Sequence, residues 1–242
     1  MVTKGGHIAW RLWFLQASWN REGMQSMGMA VCALPWARRR GLRGAELAGW
    51  LRARLDYANT NPYLAGLALA PALRLSEEGD ETGARRLETT LSRVLGAVGD
   101  ALFWEGLRPA WALLTLTAAF VLGPWAVLAG WLVFAGAMGL LRQWCWSQGW
   151  QRGGRVIELV DRPVVGRVVE ASASVAAAAA GLTMAVGYLA ASPPLPSMGA
   201  LAWGAAALAC GLLALKRRWP VEWFLPALAL AGWLLSHLRS GI

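Results

Sequence analysis

Two long stretches of this chain carry no charge, and they restrict its fold more than any other feature. Ala110 to Leu141 runs for 32 residues, and Ala171 to Leu215 for 45, without Asp, Glu, Lys or Arg. A helix crossing a bilayer needs about 20 apolar residues, within a range of about 17–25. The longer stretch is therefore read as two spans, 171–191 and 199–215, joined by the proline-rich turn from Ser192 to Met198. Val221 to Leu238 supplies another span, with Glu222 and His237 near its ends. The run at 110–141 is too long for one upright helix and too short for two crossings, and Gly123-Pro124 breaks it near the middle. A kinked, tilted helix and a re-entrant hairpin both fit.

Composition agrees. Hydrophobic residues make up 57% of the 242 and charged residues 15%, where a soluble domain has about a quarter charged. The net charge of +9 does not indicate nucleic acid, because membrane proteins concentrate Lys and Arg in cytoplasmic loops. Five Arg lie between Arg142 and Glu170, and Lys216-Arg217-Arg218 follows the second long run. Both basic loops are expected inside, with the proline turn and the C-terminus outside. Cys32, Cys145 and Cys210 are far apart and read as packing residues. The opening residues lack the apolar run and small-residue site of a removable signal peptide.

Residues 1–109 read differently, and hold 14 of the 23 Lys and Arg and 10 of the 14 acids. Ile8–Leu15, Gly28–Trp36 and Pro62–Leu75 are apolar but too short to cross. Arg38-Arg39-Arg40 with Arg43 forms a basic cluster suited to anionic headgroups. Ala45–Leu55 places Leu47, Leu51 and Leu55 on one helical face, with Arg52 and Arg54 off it. Thr82–Val98 sets Leu87, Leu91, Val94, Leu95 and Val98 opposite Arg85, Arg86 and Arg93. Between these, Glu77 to Glu81 reads as a solvated turn. The expected class is an all-α membrane protein, with short re-entrant and amphipathic helices over 1–109 and about four transmembrane helices over 110–242. Apolar pieces this short need burial by a partner subunit.

Three polar clusters interrupt the apolar half. The first contains Gln16, Trp19, Asn20, Glu22 and Gln25; the second Asn59, Thr60, Pro62 and Tyr63; the third Gly99, Asp100, Phe103, Trp104, Arg108 and Pro109. Each sets amides or a carboxylate beside an aromatic ring and a helix breaker. Vicinal hydroxyls need side chains that donate and accept, and a pyranose packs its apolar face on Trp or Tyr. Any single amide is equally well a cap or an interhelical bond. Asp100, ionisable among apolar neighbours, is a functional candidate in its own right, with Arg108 the expected ion-pair partner.

The ordered patterns Q-x-S-W-N-x-E-x-M-Q-x-x-G, N-T-x-P-Y and G-D-x-x-F-W-x-x-x-R-P resemble the IID component of mannose/fructose/sorbose-type sugar phosphotransferase systems. The resemblance covers roughly residues 8–150, and Leu122-Gly123-Pro124 fits it as well. It implies a multi-pass subunit of the bacterial inner membrane that pairs with a IIC subunit to form the translocation channel for a hexose. A IIAB protein would transfer the phosphoryl group, so the chain itself would be non-catalytic and without cofactor. Its histidines, His7 and His237, lie near the two ends. The resemblance further implies an assembly of IIC–IID pairs in the bilayer. Carried over by motif, Asn20, Asn59 and Asp100 are expected nearest the sugar, then Glu22, with Gln16 and Gln25 also substrate-binding. Trp19, Thr60, Pro62, Gly99, Phe103, Trp104, Arg108 and Pro109 are expected to shape the site. Gly23 stands where the family usually has Arg, and Leu91 to Ala97 replaces a small-residue run. These departures motivate an alternative, a degenerate IID acting as a membrane scaffold or signalling component without transport.

Overall fold

Gly66–Glu77, apolar from Gly66 to Leu73 with small residues alternating with leucine, forms a helix whose first eight residues are all buried. It is the fourth of nine α-helices in the structure, a computed structural model that describes residues 6–191. The others are α1 Gly6–Arg11, α2 Ser26–Arg39, α3 Gly44–Arg52, α5 Glu81–Leu102, α6 Arg108–Leu122, α7 Trp125–Arg152, α8 Ile157–Val160 and α9 Pro163–Ala191; the central helix is α4. Among the described residues there is no strand, only isolated bridges pairing Met24 with Asn20 and with Ala58. The expected turn at 192–198, the basic loop at 216–218 and the spans at 199–215 and 221–238 lie outside the described residues.

The described residues divide into two compact units: Gly6–Trp104 with Trp131–Val169, and Glu105–Gly130 with Glu170–Ala191. In the first, α4 is enclosed by α5, α2 and the 3-10 turn Gly153–Val156. It also meets α7 closely at two glycines. A Cβ on Gly149 would stand 2.7 Å from the Gly66 carbonyl oxygen, and one on Gly66 would stand 2.7 Å from the Trp146 nitrogen. Glycine on both sides lets the two backbones touch, as small residues do where helices associate in apolar surroundings. Arg74 fastens the end of α4, donating to the carbonyls of Trp150 at 3.0 Å and Gln151 at 2.8 Å.

The short apolar pieces near the N-terminus become α1 and α2, packed on each other. Trp36 of α2 donates through Nε1 to Glu77 at 3.1 Å and stacks on Trp50 of α3, ring centres 5.5 Å apart. Asp80 caps α5 by accepting from the Gly83 amide at 2.7 Å. The expected stripe on α5 is half-buried or buried, and its arginines are exposed. Two polar residues, Glu88 and Ser92, share the buried side.

Arg54 departs from its expected position. Helix α3 ends at Arg52, and the following turn, closed by the Arg54 amide on the Leu51 carbonyl at 2.9 Å, carries the side chain inward. There it meets Glu81 at 2.6 Å, Glu88 at 3.7 Å and Ser76 Oγ at 3.3 Å, over the face of Trp50. Glu81 is therefore only partly the solvated residue that the acidic turn suggests. Burial raises its pKa, but hydrogen bonds from Ser76 and Arg54 and the charges of Arg54 and Arg85 outweigh this and hold it below the ordinary value. Glu88 is buried, and that burial pushes its carboxyl up to about 7 against the pull of Arg54, with Glu81 adding repulsion.

In the second unit the run at 110–141 divides at Gly123, which adopts φ of 87°, so α6 stops and α7 begins two residues later. The facing segments pack together: Trp111 Nε1 donates to the Gly130 carbonyl at 2.9 Å. Thr183 of α9 lies 2.8 Å from the Thr117 hydroxyl and 2.9 Å from the Leu113 carbonyl, an interhelical hydroxyl link. Among the described residues, two helical stretches are long and apolar enough to cross a bilayer, Trp125–Val160 and Pro163–Gly187. Leu128, Trp131, Leu132, Val168, Val175 and Leu182 along them are exposed, the surface expected of helices solvated by lipid.

Candidate functional site

The first polar cluster folds into a tight turn. Asn20 and Met24 exchange backbone hydrogen bonds at 3.2 and 3.0 Å, and Met24 takes φ of 55°. Asn20 makes that turn possible, since its Oδ1 accepts from the amides of Glu22 at 3.1 Å and Gly23 at 2.8 Å. Asparagine suits the role because its short amide can replace a backbone acceptor. Gln16, Glu22 and Trp19 are exposed around it.

Gln25 joins this turn to the second cluster. Its backbone amide donates to the Ala58 carbonyl at 2.9 Å, and its buried Oε1 accepts from the Thr60 amide at 3.2 Å. Thr60, Asn61 and Pro62 are buried, whereas Asn59 is half-buried. Asn61 then joins the second cluster to the third. Its Nδ2 donates to Asp100 Oδ1 at 3.1 Å, while its Oδ1 accepts from the Tyr63 amide at 3.1 Å. The contact needs a small residue on α5: a Cβ on Gly99 would overlap the Asn61 Cβ, and one on Gly96 would stand 3.2 Å from the Asn59 carbonyl. Hence Gly99 precedes Asp100, so that the loop can lie against the helix.

An aromatic base supports the junction. The Tyr63 ring packs on Phe103 at 4.6 Å, Trp104 at 5.9 Å and Phe134 at 6.3 Å. Phe103–Leu107 winds as a π-helical turn between α5 and α6, and Arg108 and Pro109 begin the latter. Such turns are frequent at functional sites. Arg142 of α7 is buried, its guanidinium 4.5 Å from the Trp13 ring and 4.6 Å from Tyr63. The electron-rich aromatic faces attract the cation through their quadrupoles.

The geometry thus links all three clusters, Gln25 to Thr60 and Asn61 to Asp100. Asp100 accepts a hydrogen bond from Asn61. Of the residues expected at substrate, Gln25 is buried in a backbone contact and Asn20 holds its own turn. Glu22 and Gln16 are exposed, and Asn59 and Asp100 are half-buried. Asn61 is the residue that motif reading passed over. Its signal was an amide directly before proline, the position from which Oδ1 caps the Tyr63 amide while Nδ2 stays available to reach Asp100. Beside the first cluster Trp10, Trp13, Phe14 and Trp19 form an exposed aromatic surface, with Trp10 62% and Phe14 59% exposed. Chemically the junction offers amide donors and acceptors and a carboxylate beside rings, a set for binding hydroxyls.

Residues 4–193 match the family model described as the PTS system mannose/fructose/sorbose family IID component. The mannose-specific EIID component of Escherichia coli K12 is 33% identical over 119 residues, which is 45% of this chain and 42% of that protein. The fructose permease IID component of Bacillus subtilis is 28% identical over 135 residues, 53% of this chain and 48% of that one. The sorbose-specific EIID component of Lacticaseibacillus casei is 26% identical over 164 residues, 65% and 58%. The chain spans about half the length of the curated relatives it matches. A chain of the cryo-EM complex of the mannose transporter ManYZ with microcin E492 has a similar fold, with a TM-score of 0.57 and 19% identity, covering 98% of this chain and 95% of that one. A second solved structure, described as a membrane protein, gives a TM-score of 0.66 at 20% identity, covering 97% and 95%.

Proposed function

Because this chain belongs to the mannose/fructose/sorbose family of PTS IID components and is an all-α membrane protein, we propose that it is the IID subunit of a sugar transporter in the bacterial inner membrane. With a IIC subunit it forms the path for a hexose, and a IIAB protein phosphorylates the sugar on entry. The chain makes several passes and contributes no catalytic group. Pairs of IIC and IID associate into a larger assembly, and the exposed surface of Trp10, Phe14 and Trp19 suits a subunit contact.

The observation that carries this reading is the hydrogen-bonded junction of the three motifs, through Gln25 on the Thr60 amide and Asn61 on Asp100. Sugar hydroxyls meet Asp100, Asn59, Glu22 and Gln16, while Asn20 and Gln25 fix the loops that present them. The test is phosphorylation-dependent uptake of labelled mannose, fructose and sorbose by the chain reconstituted with its IIC and IIAB. One of these hexoses is expected to enter, and Asp100→Ala to reduce uptake about 10- to 100-fold with the complex still assembled, the loss of one or two charge-assisted hydrogen bonds. No uptake of any hexose by an assembled complex overturns the proposal.

A further inference from the structure

A second polar site lies in the first unit, on the side of α5 that carries Arg85, Glu88 and Ser92. It is a cavity of about 460 Å³ bordered by residues 53–58 and by α5 from Thr82 to Arg93. Its wall contains Arg54, Arg85, Arg86 and Arg93 against Asp56 and Glu88, with Tyr57, Thr82, Thr89, Thr90 and Ser92 between them. The rim and the floor differ in chemistry. Arg85, Arg86 and Arg93 are exposed at the rim, and exposed arginines alone are an ordinary solvated face. The floor is buried: the Arg54 and Glu88 side chains are 1% and 10% exposed, and Ser92 is 1% exposed.

That floor is incompletely satisfied by protein. Arg54 spends Nη1 on Glu81 and Nη2 on Ser76, and its Nε approaches Glu88 Oε2 only to 3.7 Å, too far for a hydrogen bond. Arg54 Nε, Glu88 Oε2 and Ser92 Oγ are all buried without a hydrogen-bond partner in the protein. Buried polar atoms are rarely left in this state, and three around one cavity mark a site. One hydroxyl group satisfies two of the three, since its oxygen accepts from Arg54 Nε and its hydrogen goes to Glu88. A second, neighbouring hydroxyl is needed for Ser92 Oγ, so a polyol suits the floor better than a single alcohol. The elevated carboxyl pKa of Glu88 agrees with a group that lacks donors.

We propose that this cavity binds a phosphorylated polyol, with its hydroxyls on the Arg54, Glu88 and Ser92 floor and its phosphoryl group at the Arg85, Arg86 and Arg93 rim. Planar guanidinium groups match phosphoryl oxygens, and several together retain an anion that one does not. Two sources present this chemistry, a soluble sugar phosphate and the glycerophosphate headgroup of phosphatidylglycerol. The site does not depend on the transport reading, because occupancy and uptake are measured separately.

The full chain in nanodiscs provides the test. In phosphatidylcholine nanodiscs, glucose 6-phosphate is titrated calorimetrically, with inorganic phosphate as the comparison. In nanodiscs that also contain phosphatidylglycerol, the lipid retained is counted by native mass spectrometry. One arm is expected to show saturable binding, and which arm does so identifies the source. The exposed pair Arg85→Ser with Arg93→Ser, which leaves the core intact, is expected to weaken it at least about tenfold, and Ser92→Ala by about threefold to tenfold. Saturable binding in neither arm overturns the proposal. So does binding indifferent to all three substitutions, and so does inorganic phosphate binding as tightly as the polyol phosphate.

Discussion

Glu88 shows how one buried carboxyl links pH to stability. Its pKa rises on folding from an ordinary carboxyl value to about 7, so the folded state holds a proton that the unfolded chain has released. The stabilisation is complete below the unfolded value and is lost as pH rises through about 7. Glu81 works in the opposite direction: its pKa falls on folding, so its contribution is present above the unfolded value and lost as pH falls through the folded one. Thermal unfolding of the purified protein is therefore expected to show a midpoint that declines from mildly acid pH to about 7, and Glu88→Gln to remove that decline. A variant with the wild-type slope would contradict the assignment. The sequence made Glu88 a charged residue on an amphipathic helix and nothing more. That residue is buried beside Arg54, which periodicity over Ala45–Leu55 sets off the apolar face. The helix stops at Arg52, and no local pattern announces that turn.

At the scale of elements, the α4–α7 crossing depends on two glycines. Gly149→Ala places a methyl 2.7 Å from the Gly66 carbonyl oxygen and 3.0 Å from Pro71 Cδ. Backbone cannot yield as a flexible side chain does, so the variant is expected to lose about 1–3 kcal/mol, read as a lowered unfolding midpoint in detergent. An unchanged midpoint would mean that the crossing relaxes freely. The helices themselves were partly legible from apolar length and charge spacing: α2, α4 and α5 overlap the expected stretches, while α9 begins at Pro163, eight residues ahead of the uncharged run at 171. The division at Gly123-Pro124 was legible as a break, but its outcome was not. Whether two half-runs continue or fold back depends on the Trp111 contact with Gly130, which joins residues that the sequence keeps apart. The candidate site divides the same way. The three motifs identify its parts, while Asn61, which ties the second to the third, shows its role only once α5 is in place.

For the molecule as a whole, polar residues in the first unit are used to join elements that apolar packing alone would leave unregistered. Gln25, Asn61, Arg54, Arg74 and the Trp36 indole each connect segments distant in sequence. The second unit relies on small residues and hydroxyls, with Gly106 closing on Ser172 and Thr117 on Thr183, as the first does where α4 crosses α7 at Gly66 and Gly149. This contrast follows solvent. Charged and amide links suit a unit whose amphipathic helices present Arg and Glu to water, whereas threonine and glycine contacts suit helices surrounded by lipid. Composition revealed that contrast from the start, since most of the charges fall in residues 1–109.

The stacked indoles carry a consequence for spectroscopy. Trp36 and Trp50 lie 5.5 Å apart with their planes 25° from parallel, and Trp146 and Trp150 lie 6.0 Å apart at 23°. Transition dipoles this close and this fixed couple, and the coupled pair gives a bisignate circular dichroism band in the indole region. The first pair exists only while α3 rests on α2, the second whenever the end of α7 is helical. Replacing Trp50 with Phe is expected to remove one component and leave the other, so the undocking of α3 can be followed optically without a label.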